Sequence, residues 1–250
     1  MKIRNHYILL FIFIIASFSC GTNKIYVADV DARKYEISSD YKDDPVIDSI
    51  IQPYKAVLDS KMKRVIAYNP VVLEKQKPNS NMGNWFADLL GDIAVKEWGN
   101  KVDFAFQNYG GIRLPSIGKG NISVGTIYEL MPFDNTLVLI QADGNTIKMI
   151  LDHISDYGGA PISKQVSFVK TGDTASNILI HNEALDMQKT YYVAMPDYSA
   201  NGGDGFDFLV NVPRQNSDTF IRDMVIDYFD DTPEIDTLVI DSTPRILTQK

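Results

Sequence analysis

The sequence predicts an α+β fold, a single mixed domain over residues 44–250 in which helices and strands alternate. Three observations point there. Apolar residues recur at three- and four-residue spacing in some segments, and in short alternating or unbroken runs in others. Clusters of Gly, Asn and Pro punctuate these segments without a repeated βαβ unit. The chain has 250 residues and is 45% apolar, enough to bury a sizeable core.

The N-terminus is read apart from that domain. Lys2 and Arg4 precede an apolar run from Tyr7 to Phe18, the layout of a secretory signal peptide over residues 1–19. The run of about 12 residues is too short for a hydrocarbon core of ~30 Å. Cys20 is the only cysteine, so no intramolecular disulfide forms and cysteine–zinc sites are excluded. It reads either as an incidental buried thiol or as the acylated first residue of a bacterial lipoprotein. The small flanking residues favour lipidation, although Ser17 stands where such sites prefer Leu. Residues 20–43 are polar and read as a tether. The expectation is an exported protein anchored by lipid to a bacterial membrane, at its periplasmic or cell-surface face.

Asp44-Pro45 looks like a helix cap followed by a first-turn proline. Val46, Ile47, Ile50, Ile51, Tyr54, Val57 and Leu58 then mark an amphipathic helix. A β-rich stretch, Arg64 to Leu73, leads to a second helix from about Met82 to Trp98, with Gly99 as terminator. Val102 to Gln107 reads as a strand, and Asn108 to Gly111 as a turn. A short helix near Thr126 to Leu130 is followed by a strong strand, Thr136 to Gln141. Asp143-Gly144 turns the chain into a helix from about Asn145 to Asp156. Further strands are expected at Val166 to Val169, Asn177 to Ile180 and Tyr191 to Ala194. A helix from Thr219 to Phe229 and a last strand, Thr237 to Ile240, complete the domain.

The formal net charge is −8, which argues against a nucleic-acid polymer as partner. A small nucleotide is not excluded, because a few local donors outweigh the mean field. Beyond residue 20 the histidines are His153 and His181, each isolated from any second ligand at metal-binding spacing. Both read as ordinary surface or capping histidines. No metal site, cofactor or catalytic residue is therefore expected in this chain. Walker loops, nucleophile elbows and dinucleotide fingerprints are also absent.

Three turn motifs remain: Asn81-Met82-Gly83-Asn84; Asn108-Tyr109-Gly110-Gly111-Ile112-Arg113 read with Met131-Pro132-Phe133-Asp134-Asn135-Thr136; and Pro196-Asp197-Tyr198-Ser199-Ala200-Asn201-Gly202-Gly203-Asp204-Gly205-Phe206. Taken singly, each is a plain turn. Taken in order, they make the chain resemble the C-terminal domain of the 5′-nucleotidase family over roughly Val46 to Leu247. The resemblance implies a nucleotide- or nucleoside-binding site. Phe133 and Tyr198 would clamp the base, Asp204 would accept bonds from ribose hydroxyls, Arg113 would reach the ribose or phosphate side, and Asn108 would bond the base or orient the site.

There are departures. The approach to Asn81, Gln76-Lys77-Pro78-Asn79-Ser80, holds no arginine, where the family carries one; Lys77 is a point charge and lacks the guanidinium fork. Tyr109 replaces a small residue, and Tyr198 a usual Phe. Family members also carry a metallophosphatase half that holds two divalent metals. The expected partner is thus a separate metallophosphatase chain, with this chain as the recognition half of a 5′-nucleotidase-type phosphohydrolase. A non-catalytic nucleoside-binding lipoprotein and a degenerate interaction module are the alternatives.

Overall fold

A strand whose side chains are buried on both faces must be apolar without alternation. Thr136-Leu137-Val138-Leu139-Ile140 is such a run, and it lies at the centre of the domain. The computed structural model describes residues 33–34, 42, 44–232 and 237–249. The expected signal peptide, Cys20 and nearly all of the tether fall outside the described residues. The chain divides into two units, Met1–Ser49 and Ile50–Lys250, and all that follows on core and site belongs to the second.

The elements in order are α1 (Pro45–Met62), β1 (Val65–Asn69), β2 (Leu73–Glu74), α2 (Asn81–Trp98), β3 (Phe104–Ala105), β4 (Ser116–Ile117), β5 (Gly120–Ser123), α3 (Val124–Leu130), β6 (Thr136–Asp143), α4 (Gly144–Asp156), β7 (Val166–Thr171), β8 (Thr174–Ile180), β9 (Glu183–Ala184), β10 (Thr190–Pro196), α5 (Asp197–Ala200), β11 (Arg214–Phe220), α6 (Ile221–Asp231) and β12 (Ile246–Thr248). The central sheet has the order β11-β6-β10-β3; a second four-stranded sheet runs β12-β7-β8-β9, and β1-β5 and β2-β4 form small ribbons. In the central sheet β6 is antiparallel to β10 and β11, whereas β3 is parallel to β10.

The two faces of β6 explain the layering. Leu137 and Leu139 join one apolar cluster, with Phe86 and Leu90 of α2, Ile127 of α3 and Val225 of α6. Val138, Ile140 and Ala142 join the other, with Ile147 and Leu151 of α4 and Phe168 of β7. Helix starts are capped as their sequences dictate. Ser80 Oγ accepts from the Gly83 amide at 2.9 Å. Asp143, read as part of a turn, caps α4 by accepting from Thr146 N at 2.8 Å.

Several expectations change. The strand expected over Val102–Gln107 pairs regularly only at Phe104–Ala105, where both faces are covered. Thr219, expected in a helix, belongs to β11, a polar strand held by its backbone ladder to β6. The last strand is Ile246–Thr248; Thr237 makes only one bridge, to Tyr68, and Val239 is 88% exposed. The α1 stripe forms a helix, yet its large apolar residues remain 48–75% exposed. No described helix is long and apolar enough to cross a membrane.

The C-terminal segment is latched by a residue with no local sequence signal. Arg245 is buried and reaches Asp88 of α2 through two bonds, of 2.9 and 2.7 Å, and Asp241 at 3.1 Å. It also donates to the Ile162 carbonyl at 2.6 Å. A guanidinium fork matches a carboxylate in this bidentate way.

Candidate functional site

Strand polarity brings the distant motifs together. The C-terminal ends of parallel β3 and β10 lie at the same end of the sheet as the N-terminal end of antiparallel β6. The segment after β3 carries Asn108 and Arg113, the segment before β6 carries Phe133, and the segment after β10 carries Tyr198 and Asp204. All five line a single cavity of about 250 Å³, together with Gly110, Gly111 and Asn135. Neither ring is sealed in the core: Phe133 is 40% exposed and Tyr198 44%.

Each ring has a backing. Tyr198 lies against Gly203, where a Cβ would come within 2.4 Å of a ring carbon, so only glycine allows this approach. The Arg113 guanidinium carbon sits 5.5 Å from the Phe133 ring centre, within cation–π range. Behind Phe133, Asp134 pairs with Arg222 at 3.0 Å. Arg222 itself lies over the Tyr128 ring at 4.4 Å.

Asp204 is the hub of the polar side. It adopts a left-handed backbone, φ 53°, within the 3₁₀ turn Gly203–Gly205. Its Oδ2 accepts from Asn108 Nδ2 at 2.8 Å, and its Oδ1 from the Tyr198 hydroxyl at 3.2 Å. Gln107 donates to Asn108 Oδ1 at 2.8 Å, which fixes the amide of Asn108 toward Asp204. An ionised carboxylate has about four lone-pair sites, so Asp204 keeps acceptor capacity toward the cavity. Asn108 thus lines the cavity and also holds the Asp204 carboxylate. Asn135, quoted in the sequence motif but given no role, lines the cavity with a side-chain amide that has no hydrogen-bond partner among the described residues.

His153 corrects an expectation. It is no ordinary surface or capping histidine: its Nε2 donates to the Asp204 carbonyl at 2.7 Å, and its ring meets Phe206 edge-on at 4.4 Å. The pairing spans 51 positions, so no local pattern announces it. His181 remains an exposed residue, 3.9 Å from Asp103.

Cations gather at one edge. Lys75 donates to the Ile112 carbonyl at 2.6 Å and lies 4.0 Å from the Tyr109 ring centre. Lys77 lies 3.9 Å from the Tyr157 ring centre and 4.7 Å from that of Tyr109, and donates to the Tyr157 carbonyl. Burial pushes both ammonium groups below the usual lysine range; Arg113 and Lys77 add repulsion at Lys75, and Asp204 opposes the shift at Lys77. Among the described residues no carboxylate forms an ion pair with Lys75, Lys77 or Arg113. The divalent metals of the family resemblance find no ligand set here: no group of three or more His, Cys, Asp or Glu among the described residues could hold an ion.

The sheet, its two covered faces and the glycine-rich turns at one end define a mixed α+β domain with a half-open, ring-lined cavity. That class has a family. The chain belongs to the 5'-nucleotidase, C-terminal domain, family, whose model matches residues 61–211. The chain is 29% identical over 206 residues to Protein UshA of Yersinia enterocolitica, covering 79% of this chain and 36% of that protein. It is 27% identical over 210 residues to a 5'-nucleotidase of Vibrio vulnificus, covering 80% and 37%. Among solved structures, a 5'-nucleotidase precursor from Thermus thermophilus matches with a TM-score of 0.69 at 28% identity, over 82% of this chain and 43% of that one. The chain thus spans little more than a third of the length of these curated relatives.

Proposed function

We propose that this domain holds the nucleoside part of a nucleotide between Phe133 and Tyr198, as the recognition half of a 5′-nucleotidase-type phosphohydrolase. The observation that carries the reading is the pair of half-exposed rings on one cavity with Asp204 and Arg113. A flat heterocycle stacks on such rings whatever its edge pattern. Asp204 takes the ribose diol, and the unpartnered Asn135 amide meets the base edge. Arg113, with Lys75 and Lys77 behind it, makes that edge of the cavity attractive to phosphate oxygens. Family membership and the names of the relatives support the substrate class.

In a two-metal hydrolase the metals activate water and steady the leaving oxygen. In this reading a separate metallophosphatase domain supplies them, and the chain described here supplies binding and orientation. Cys20 carries the lipid that anchors the exported protein; radiolabelled palmitate should enter the wild type and not Cys20→Ser.

One observation favours capture of a nucleoside without hydrolysis. The Lys77 ammonium faces the Tyr157 carbonyl and two rings, an arrangement that holds it without any phosphate. Calorimetry with adenosine and AMP separates the two: tighter AMP binding supports phosphate engagement, and equal affinities support nucleoside capture. In either case Phe133→Ala and Tyr198→Ala should each weaken adenosine binding by about 1–3 kcal/mol. Unchanged affinity in both variants removes the stacking site.

A further inference from the structure

The two rings stand on segments that meet where the central ladder ends. The last regular pair between β6 and β10 is Leu137 opposite Pro196. One residue further, the β10 chain turns into α5 and its backbone carbonyl leaves the ladder. The Asp197 side chain takes over that rung. Its Oδ1 accepts from the Thr136 amide at 3.1 Å and from the Tyr198 amide at 2.8 Å. The same oxygen therefore ties the backbone just after the Phe133 loop to the backbone of Tyr198 itself. On the other side of β6, Ile221 N donates to the Asn135 carbonyl at 2.8 Å, so this stretch is held from both flanks.

We propose that Asp197 is a positioning residue that sets the gap between Phe133 and Tyr198, and with it whether a flat ring can stack on both at once. The function of the gap rests on the nucleobase reading above; the tether itself does not. Asp197 need not touch the ligand. Its oxygen substitutes for a strand carbonyl, and the requirement is an acceptor at a fixed reach rather than a charge. Asparagine meets that requirement. Alanine removes the acceptor and leaves a Thr136 amide with no partner on that side. Glutamate keeps the charge and adds one methylene, which spreads the two backbones.

The test uses the full chain in four forms: wild type, Asp197→Asn, Asp197→Ala and Asp197→Glu. Amide hydrogen exchange at Thr136 reads the tether, adenosine titration reads the gap, and thermal melting reads the fold. Thr136 should be protected in the wild type and Asp197→Asn, and exchange fast in Asp197→Ala. Adenosine affinity should hold in Asp197→Asn and fall roughly tenfold in Asp197→Ala and Asp197→Glu, the scale of a largely lost stack. A purely structural role would lower melting in proportion to affinity, whereas control of the gap lowers affinity in Asp197→Glu with little change in melting.

Several results overturn the proposal. Fast exchange at Thr136 in the wild type removes the tether, whether or not adenosine binds. Wild-type affinity in Asp197→Ala or Asp197→Glu removes its control of the gap, and equal losses in Asp197→Asn and Asp197→Ala show that charge rather than reach matters. A protected Thr136 with no adenosine binding by the wild type defeats the nucleobase reading and the spacing function together, leaving the tether as a fold contact.

Discussion

At the residue scale, the proposed stacking site requires that its rings be held in place without being buried. Gly203 is where that condition is most exposed to a single change. Gly203→Ala would place a methyl 2.4 Å from a Tyr198 ring carbon, and the ring, at the free end of its side chain, must move. The variant should weaken adenosine binding about as much as Tyr198→Ala, by about 1–3 kcal/mol, with little change in melting temperature. Calorimetry paired with thermal melting checks this; wild-type affinity in Gly203→Ala would mean that the ring's backing is irrelevant. The sequence made Asn108, Arg113, Phe133, Tyr198 and Asp204 legible because they sit in ordered turn motifs, and the structure gathers them on one cavity. Asp197 and His153 were illegible for a physical reason. Their partners, Thr136 and Asp204, become neighbours only through strand order and helix packing.

At the scale of elements, legibility followed burial. β6 and the α2 and α4 helices were readable because their side chains enter the two cores at the spacing of their backbones. β11 was not, because only Ser217 among its residues is buried, and backbone bonds to β6 rather than side chains hold it. β12 was missed because a short strand depends on the Arg245 latch nearby. Arg245→Ala would leave the Asp88 and Asp241 carboxylates facing each other without their shared partner. Asp88 and Asp241 are partly exposed, so removing Arg245 should cost about 1–3 kcal/mol in denaturant unfolding. The same latch predicts a pH dependence. Hydrogen bonds from Thr243, and then from Arg245, hold the Asp241 carboxyl below the usual carboxylate range. Its folded pKa is depressed, so its stabilisation is present above the unfolded value of about 3.9 and is lost as pH falls through the folded value. Melting temperature should drop on acidification below pH ~3.9, and less steeply in Asp241→Asn.

At the scale of the whole molecule, the proposed division of labour rests on what the domain offers. The site end of the central sheet presents two half-exposed rings, the Asp204 carboxylate and a basic edge whose cations form no ion pair among the described residues. In a two-metal hydrolase the metals activate water and steady the leaving oxygen, and the proposal assigns that chemistry to a metallophosphatase domain. Mixing the two should release phosphate from AMP, and Phe133→Ala should reduce that release chiefly through KM, because the proposed role of the ring is to bind the base and not the phosphate. The most direct measurement is a crystal structure of the chain with adenosine. The account predicts the adenine between Phe133 and Tyr198, with the ribose hydroxyls on Asp204. Adenosine bound elsewhere, or a cavity left empty at saturating adenosine, would contradict it.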